Sequence, residues 1–218
     1  MTMTTDLGAV LPSLPLMLKG LGVTVLLSLV SGVLATLIGL VAAAIRTSRV
    51  AGASQLSILY TEVFRGTPLL ITLLFVYFGV AAYGFELNLF AAAVAGLAIY
   101  QGAYIGEIFR SGIEAVPNGQ REVSQVLGFG RIGTFVHIVL PQTRRVVLPP
   151  LGGQYIALIK DTSIASLIGV AELMRQGQSV VDRLGQPVAV YAVVAALYFV
   201  VCYPASRWVR ALENRNLT

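Results

Sequence analysis

Four stretches of this chain run for the width of a lipid bilayer without one charged side chain. Gly20 to Ile45, Gly66 to Phe85, Leu87 to Gly106 and Leu184 to Ser206 contain no Asp, Glu, Lys or Arg. A hydrocarbon core takes about 20 consecutive apolar residues as a helix. Inside lipid every backbone N–H and C=O must be satisfied by the segment itself, so such runs fold as helices. The rest of the composition agrees: 56% of the 218 residues are hydrophobic and 11% are charged, against about 25% charged in a soluble domain.

A fifth apolar stretch, Val146 to Ala171, is interrupted by Lys160-Asp161 and then by Thr162 and Ser163. Charges at mid-bilayer are costly, and their default reading is a pathway for a polar solute or ion. The expected architecture is therefore an all-α membrane protein of about five transmembrane helices. The spans fall at about 20–45, 57–85, 87–110, 146–171 and 184–208, in a single domain over 1–218 with a long loop at 114–145. Gly66 and Pro68 would bend the second span. Pro149 and Pro150 would constrain the start of the fourth, and Gly152-Gly153 suggests close approach of another helix. The first run is too long for the apolar part of a cleaved signal, and its flank carries both Lys19 and Asp6.

The formal net charge of +5 fits the basic loops of a membrane protein rather than a nucleic-acid partner. One side of the expected bundle collects Arg46, Arg49, Arg65, Arg110, Arg121, Arg131, Arg144, Arg145, Arg207, Arg210 and Arg215; the other has Lys19, Arg175 and Arg183. The positive-inside bias puts the N-terminus outside and the C-terminus in the cytoplasm. One cysteine, Cys202, and one histidine, His137, argue against an internal disulfide or a metal cluster.

The loop 114–145 has structure of its own. Arg121 to Gly128 reads as a short helix entered from Pro117-Asn118-Gly119, with Asn118 as a cap and Gly128 as its end. Val123, Val126 and Leu127 give it an apolar face. A second amphipathic piece, Ile132 to Leu140, leads to Pro141. Periodicity alone leaves two readings open: a helix presented to a protein partner, or one lying on lipid headgroups.

The loop also carries a spaced signature. Glu122 is followed by Gly128, Ile138, Leu140 and Pro141, and in this pattern it resembles the permease subunits of ATP-binding cassette importers. Val123 and Ser124 stand where that family usually has two alanines. Further blocks resemble the polar-amino-acid branch: Phe64-Arg65-Gly66-Thr67-Pro68, Ala103-Tyr104-Ile105, Glu107-Ile108-Phe109-Arg110, Val116-Pro117-Asn118-Gly119-Gln120, Leu140-Pro141-Gln142, Leu148-Pro149-Pro150-Leu151 and Lys160-Asp161-Thr162-Ser163. The resemblance covers roughly Lys19 to Glu213.

The resemblance implies the type I importer permease fold in a bacterial plasma (inner) membrane, with a cytoplasmic coupling helix. It implies two ATPase subunits that hold ATP and Mg, a second permease subunit (identical or related), an external solute-binding protein and a polar amino acid as cargo. The chain itself would bind no cofactor or metal and is not an enzyme; it contains no phosphate-binding Gly-x-x-x-x-Gly-Lys run. Glu122, Ser124, Leu127, Gly128 and Arg131 would form the ATPase-coupling segment, a helix seated in a groove.

A zwitterionic cargo needs an anion near its ammonium and donors near its carboxylate. The expected substrate-facing residues are Asp161, Thr162, Ser163, Lys160, Tyr104, Glu107, Gln101 and Thr67. Gln101, Tyr104 and Glu107 share a helical face by three-residue spacing. Lys160 and Asp161 point about 100° apart, so Lys160 would pair with Glu107 or face a subunit interface. Thr67 would line the cavity or satisfy carbonyls freed by the bend. Two other classes remain as alternatives: an ion-coupled secondary carrier using Asp161 and Glu107, and a membrane anchor without transport. The expected inverted symmetry of the first is not visible, and the second leaves Lys160-Asp161 unexplained.

Overall fold

The structure is a computed structural model and describes residues 7–48 and 51–216. Arg49 and Asp6, used above in weighing charge, lie outside the described residues, as does the side chain of Arg215. Among the described residues the regular elements are all helical. A short helix α1 (Leu7–Val10) and a 3-10 turn (Leu11–Ser13) lead into α2 (Leu14–Thr47). α3 (Ala51–Gly66), α4 (Leu69–Ala82) and α5 (Leu89–Glu114) follow. The loop holds α6 (Asn118–Val126) and α7 (Arg131–Thr134), joined by a π-turn (Phe135–Val139) to α8 (Leu140–Asp161). A 3-10 stretch (Thr162–Ile168), α9 (Leu173–Leu184) and α10 (Pro187–Asn216) complete the chain.

The pairing of α2 with α5 is the most extensive in the molecule. Its cause is small residues. Ala35, Gly39, Ala42 and Ala43 are the buried residues of α2 from Ala35 to its end, and Gly102, Ala103 and Gly106 are buried on α5. In lipid no hydrophobic force drives helices together, so close backbone approach has to supply the contact energy. A Cβ on Gly39 would sit 2.8 Å from the backbone nitrogen of Gly106 and 2.8 Å from Ile105 Cγ2. The two backbones touch here, and no larger side chain fits. Large apolar side chains on the rest of α2, such as Leu26, Leu29, Val33 and Leu37, stay exposed, as lipid contact allows.

Three described helices have the length and hydropathy to cross a membrane: Leu7–Thr47, Leu89–Glu114 and Pro187–Ala211. α3 and α4 add a fourth only if counted as one broken span, because they meet at 111°. The expected span at 57–85 is thus two helices with a sharp corner. The corner falls at Gly66–Pro68, where Pro68 is extended (ψ 139°) and Thr67 donates to the freed carbonyl of Val63 at 2.7 Å. The expected span at 146–171 is also revised. α8 begins at Leu140, with Pro141 near its first turn, where the missing N–H costs nothing, and ends at Asp161. Pro149 and Pro150 lie inside it rather than at its start. Gly152 does meet another helix: its Cβ would lie 2.5 Å from Val209 Cγ2 of α10, whereas Gly153 has open space.

The ends of the bundle differ in charge. Gly20 at the start of α2 packs on Gln176 and Leu173 of α9, so Lys19, Arg175 and Arg183 share that end. Val10 clusters there with Ala189 and Val190 at the start of α10. The C-terminus of α10 therefore lies at the opposite end from α1. At that opposite end Arg46 pairs with Glu107, and Thr143 of α8 donates to Gly112 of α5.

Candidate functional site

Three groups of polar residues hold the candidates on α5 and α8. The first joins α5 to α8. Gln101 is fully buried, and its amide donates to Asp161 Oδ2 at 2.7 Å. Its carbonyl oxygen accepts from Gln154, one to two turns earlier on α8. An unpaired carboxylate in hydrocarbon is expensive; here a neutral amide orients it without neutralising it. Asp161 is only partly buried. Sequence spacing singled out Gln101 and Asp161 separately; the structure brings them together and adds Gln154.

The second group sits on the exposed side of α5. Tyr100 and Tyr104 hydroxyls are 3.2 Å apart. Tyr104 donates to the carbonyl of Arg65 at 3.4 Å, and the Arg65 guanidinium stands 5.4 Å above the Tyr104 ring. A cation over an aromatic face is attracted by the ring quadrupole. This contact closes the α3–α4 corner onto α5.

The third group centres on Glu107. It accepts from Arg110 Nε at 3.0 Å, pairs with Arg46 of α2 at 3.5 Å and approaches Arg65 of α3 at 4.0 Å. Arg110 reaches Glu114 as well. Glu107 is therefore held by three arginines and not by Lys160, which corrects the pairing expected from sequence. It ties the ends of α2, α3 and α5 together, about 9 Å along α5 from Gln101 by helical rise. Lys160 is exposed on α8.

The remaining candidates are placed less directly for a ligand. Thr162 is fully buried, and its hydroxyl is used on the Ile159 carbonyl at 2.7 Å. Ser163 is partly exposed beside it. Thr67 spends its hydroxyl at the corner, the structural one of its two expected roles.

Sequence reasoning missed Glu172. It is 0% exposed and caps α9, accepting from Met174 N–H at 2.9 Å and Arg175 N–H at 2.8 Å. It also accepts from Tyr198 of α10 at 3.0 Å and Thr24 of α2 at 3.3 Å. Four donors around one carboxylate explain how a charge survives there. A Glu just ahead of the amphipathic run Leu173–Leu184 was the signal available, as an acidic helix cap.

In the loop, α6 begins at Asn118 with Pro117 before it and no side-chain cap; Asn118 is the first helical residue and not the cap expected. The C-terminal end is as expected. Gly128 has φ +84°. Gly128 N–H donates to Gln125 and Phe129 N–H to Ser124, both at 3.0 Å, the paired bonds of a left-handed glycine stop. Ser124 is 1% exposed and bonds Thr134 at 2.7 Å. It fastens α6 from inside and does not face outward, a correction to its expected place on the docking face. Arg121 donates to Ile113 at 2.6 Å, and Gln120 bonds Gln142. So α6 is braced to the end of α5 and the start of α8. Outward it presents Glu122 with Val123, Val126 and Leu127, which are 59%, 88% and 70% exposed; Arg131 and Ile132 flank them. His137 Nδ1 donates to the Gly133 carbonyl at 3.0 Å and the ring packs on Phe129, a role internal to the loop. Among the described residues no cluster of His, Cys, Asp and Glu fits a metal ion.

Residues 35–217 match the family described as binding-protein-dependent transport system inner membrane component. The glutamine transport system permease protein GlnP of Escherichia coli (strain K12) is 36% identical over 215 residues, 98% of each chain. The L-cystine transport system permease protein TcyB of Bacillus subtilis (strain 168) is 35% identical over 202 residues, 92% of this chain and 86% of that one. A crystal structure of an amino acid ABC transporter with histidines superposes with a TM-score of 0.90 at 34% identity, covering 96% of this chain and 98% of that chain. With a family match over most of its length, a shared fold and a braced, outward loop helix, the chain belongs to the inner-membrane components of binding-protein-dependent transport systems.

Proposed function

We propose that this chain is the permease subunit of an ATP-driven importer for polar amino acids. The observation that carries the reading is α6: a helix braced to α5 and α8 whose apolar residues Val123, Val126 and Leu127 face outward. Stable exposure of that face makes sense when a groove on another protein receives it. The cargo class draws on relatives named for glutamine and L-cystine transport.

In this reading two ATPase subunits hold ATP and Mg and grip α6 of each of two permeases, and an external binding protein delivers the amino acid. The arginine-rich end, with Arg46, Arg110 and Arg121, faces the cytoplasm, the N-terminus lies outside, and the C-terminus lies inside. A shift of α6 acts first on the junction of Gly112 with Thr143 and Val147. α5 and α8 both run from that junction to the Gln101–Asp161 bond, with Asp161 about 30 Å along α8 from Leu140 by helical rise. The bond joins the two helices, so their relative movement changes what Asp161 offers. Asp161 receives the α-ammonium, Gln101 and Gln154 hold its carboxylate in place, and Tyr104 and Arg65 border the path. Glu107 keeps α2, α3 and α5 moving as one body.

The ion-coupled carrier reading gains no specific support. Uptake of radiolabelled amino acids into vesicles separates the two. Uptake that needs ATP and the partner ATPase is expected; uptake driven by a proton or sodium gradient with the permease alone would refute the proposal.

A further inference from the structure

A second site lies at the arginine-rich end, away from the Gln101–Asp161 group. Between the ends of α2 and α5, the π-turn and the start of α8 there is a cavity of about 450 Å³. Leu40, Phe109, Ile113, Phe135, Leu140 and Leu148 supply much of an almost wholly apolar lining. The hydroxyl protons of its two threonines are already spent. Thr47 donates to Ala43 at 2.9 Å, and Thr143 to Gly112 at 3.3 Å. The charged residue in the lining is Arg144, which is exposed and has no ion pair among the described residues. The neighbouring arginines Arg46 and Arg110 are both engaged with Glu107.

A slot of hydrocarbon with one cation at its edge selects an amphiphile with a long apolar part and an anionic head. A polar solute would lose its hydration and gain no hydrogen bonds. A neutral lipid would leave Arg144 unanswered. Leu40, Phe135 and Leu140 are 45%, 43% and 46% exposed around the opening, as expected where acyl chains arrive. The slot also lies where α2 and α5 end, the level at which headgroups meet helix termini. We propose that this cavity binds an anionic phospholipid of the adjoining leaflet, acyl chain in the slot and phosphate on Arg144. Phe135 belongs to the π-turn that joins α7 to α8, so the bound lipid braces the loop that carries α6. The site does not depend on which amino acid is transported.

The test uses the full-length permease in mixed phosphatidylcholine–phosphatidylglycerol vesicles. It is extracted in mild detergent, and the lipid retained per protein is read by mass spectrometry. The native chain is expected to retain phosphatidylglycerol in preference by roughly fivefold, the size expected for one arginine near an anionic headgroup. Arg144→Gln should bring that ratio near one while lipid is still retained. Ala44→Phe, which fills the slot from α2, should reduce retention of both lipids. An unchanged preference in Arg144→Gln would overturn the proposal, and so would unchanged retention in Ala44→Phe. Crosslinking of a second permease copy through position 44 in the membrane would overturn it too, since protein would then occupy the slot.

Discussion

Gly128 offers a clean perturbation, because its neighbourhood separates backbone strain from crowding. Its φ of +84° is left-handed, and a Cβ there would meet nothing within 4 Å. Gly128→Val therefore acts only through the backbone. Holding an L-residue in this region costs about 1–2 kcal/mol, and a β-branched side chain makes it worse. The alternative is to abandon the stop. That forfeits the bonds from Gly128 to Gln125 and from Phe129 to Ser124, at about 0.5–1.5 kcal/mol each. Either way the end of α6 is destabilised by about 1–3 kcal/mol, while the membrane helices are untouched. ATP-dependent uptake by Gly128→Val should fall at least tenfold with the amount of permease in the membrane unchanged. Gly128→Asn should stay within about twofold, because Asn tolerates the left-handed region. If Asn fails as badly as Val, or if Val transports normally, the strained turn is not what positions α6.

Three further substitutions probe the framework. Gln101→Leu leaves the Asp161 carboxylate and the Gln154 amide without their partner, at about 1–3 kcal/mol for each group; uptake should fall at least tenfold and the melting temperature in detergent should drop, and native-like values of both would remove Gln101 from the site. Gly39→Val drives a Cβ into the Gly106 backbone and should cost at least about 1–3 kcal/mol, whereas Gly22→Ala, with nothing within 4 Å, should melt like the native chain; equal melting of the two variants would refute close α2–α5 contact. Glu172→Leu strands the donors of Thr24, Tyr198 and the first turn of α9, at about 2–5 kcal/mol in all, and Glu172→Gln, which keeps an acceptor, should recover much of that loss in a thermal melt. Indistinguishable melts for Leu and Gln would mean that the carboxylate is not holding the three helices.

How far the chain can be read without a structure depended on the range of the interaction. The uncharged run at Gly20–Ile45 falls within α2, and Leu87–Gly106 and Leu184–Ser206 largely within α5 and α10, because a bilayer-length run leaves one backbone solution. Gly66 and Pro68 marked the corner, but nothing local gives its angle of 111°; that angle comes from α3 and α4 packing on different parts of α5. The apolar stretch from Val146 gave no start for α8, because Arg144 and Arg145 lie on a helix that begins at Leu140 and continues out of the apolar region. Arg110 was legible as a partner of Glu107 by its three-residue spacing. Arg46, 61 residues away, was not, and Lys160 took its place in the expectation. Glu172 was legible as a helix cap ahead of α9, but its other partners, Thr24 and Tyr198, lie 148 and 26 residues off and were not. Gln101 and Asp161 were each legible as polar groups out of place; that one holds the other belongs to the fold. In the loop, the Gly128 stop follows from local chemistry, while the inward turn of Ser124 depends on Thr134 across the loop.

If α6 delivers a motor's movement to α5 and α8, it must lie against the ATPase. The most direct measurement replaces Cys202, the single native cysteine, by Ser, and then introduces Val126→Cys on the outermost point of α6. Oxidative crosslinking is carried out in membranes that also contain the partner ATPase with single cysteines along its groove. The account predicts a permease–ATPase adduct whose yield changes between nucleotide-free and ATP-trapped states. No adduct in either state, together with labelling of position 126 by a membrane-impermeant reagent applied from outside intact cells, would contradict it.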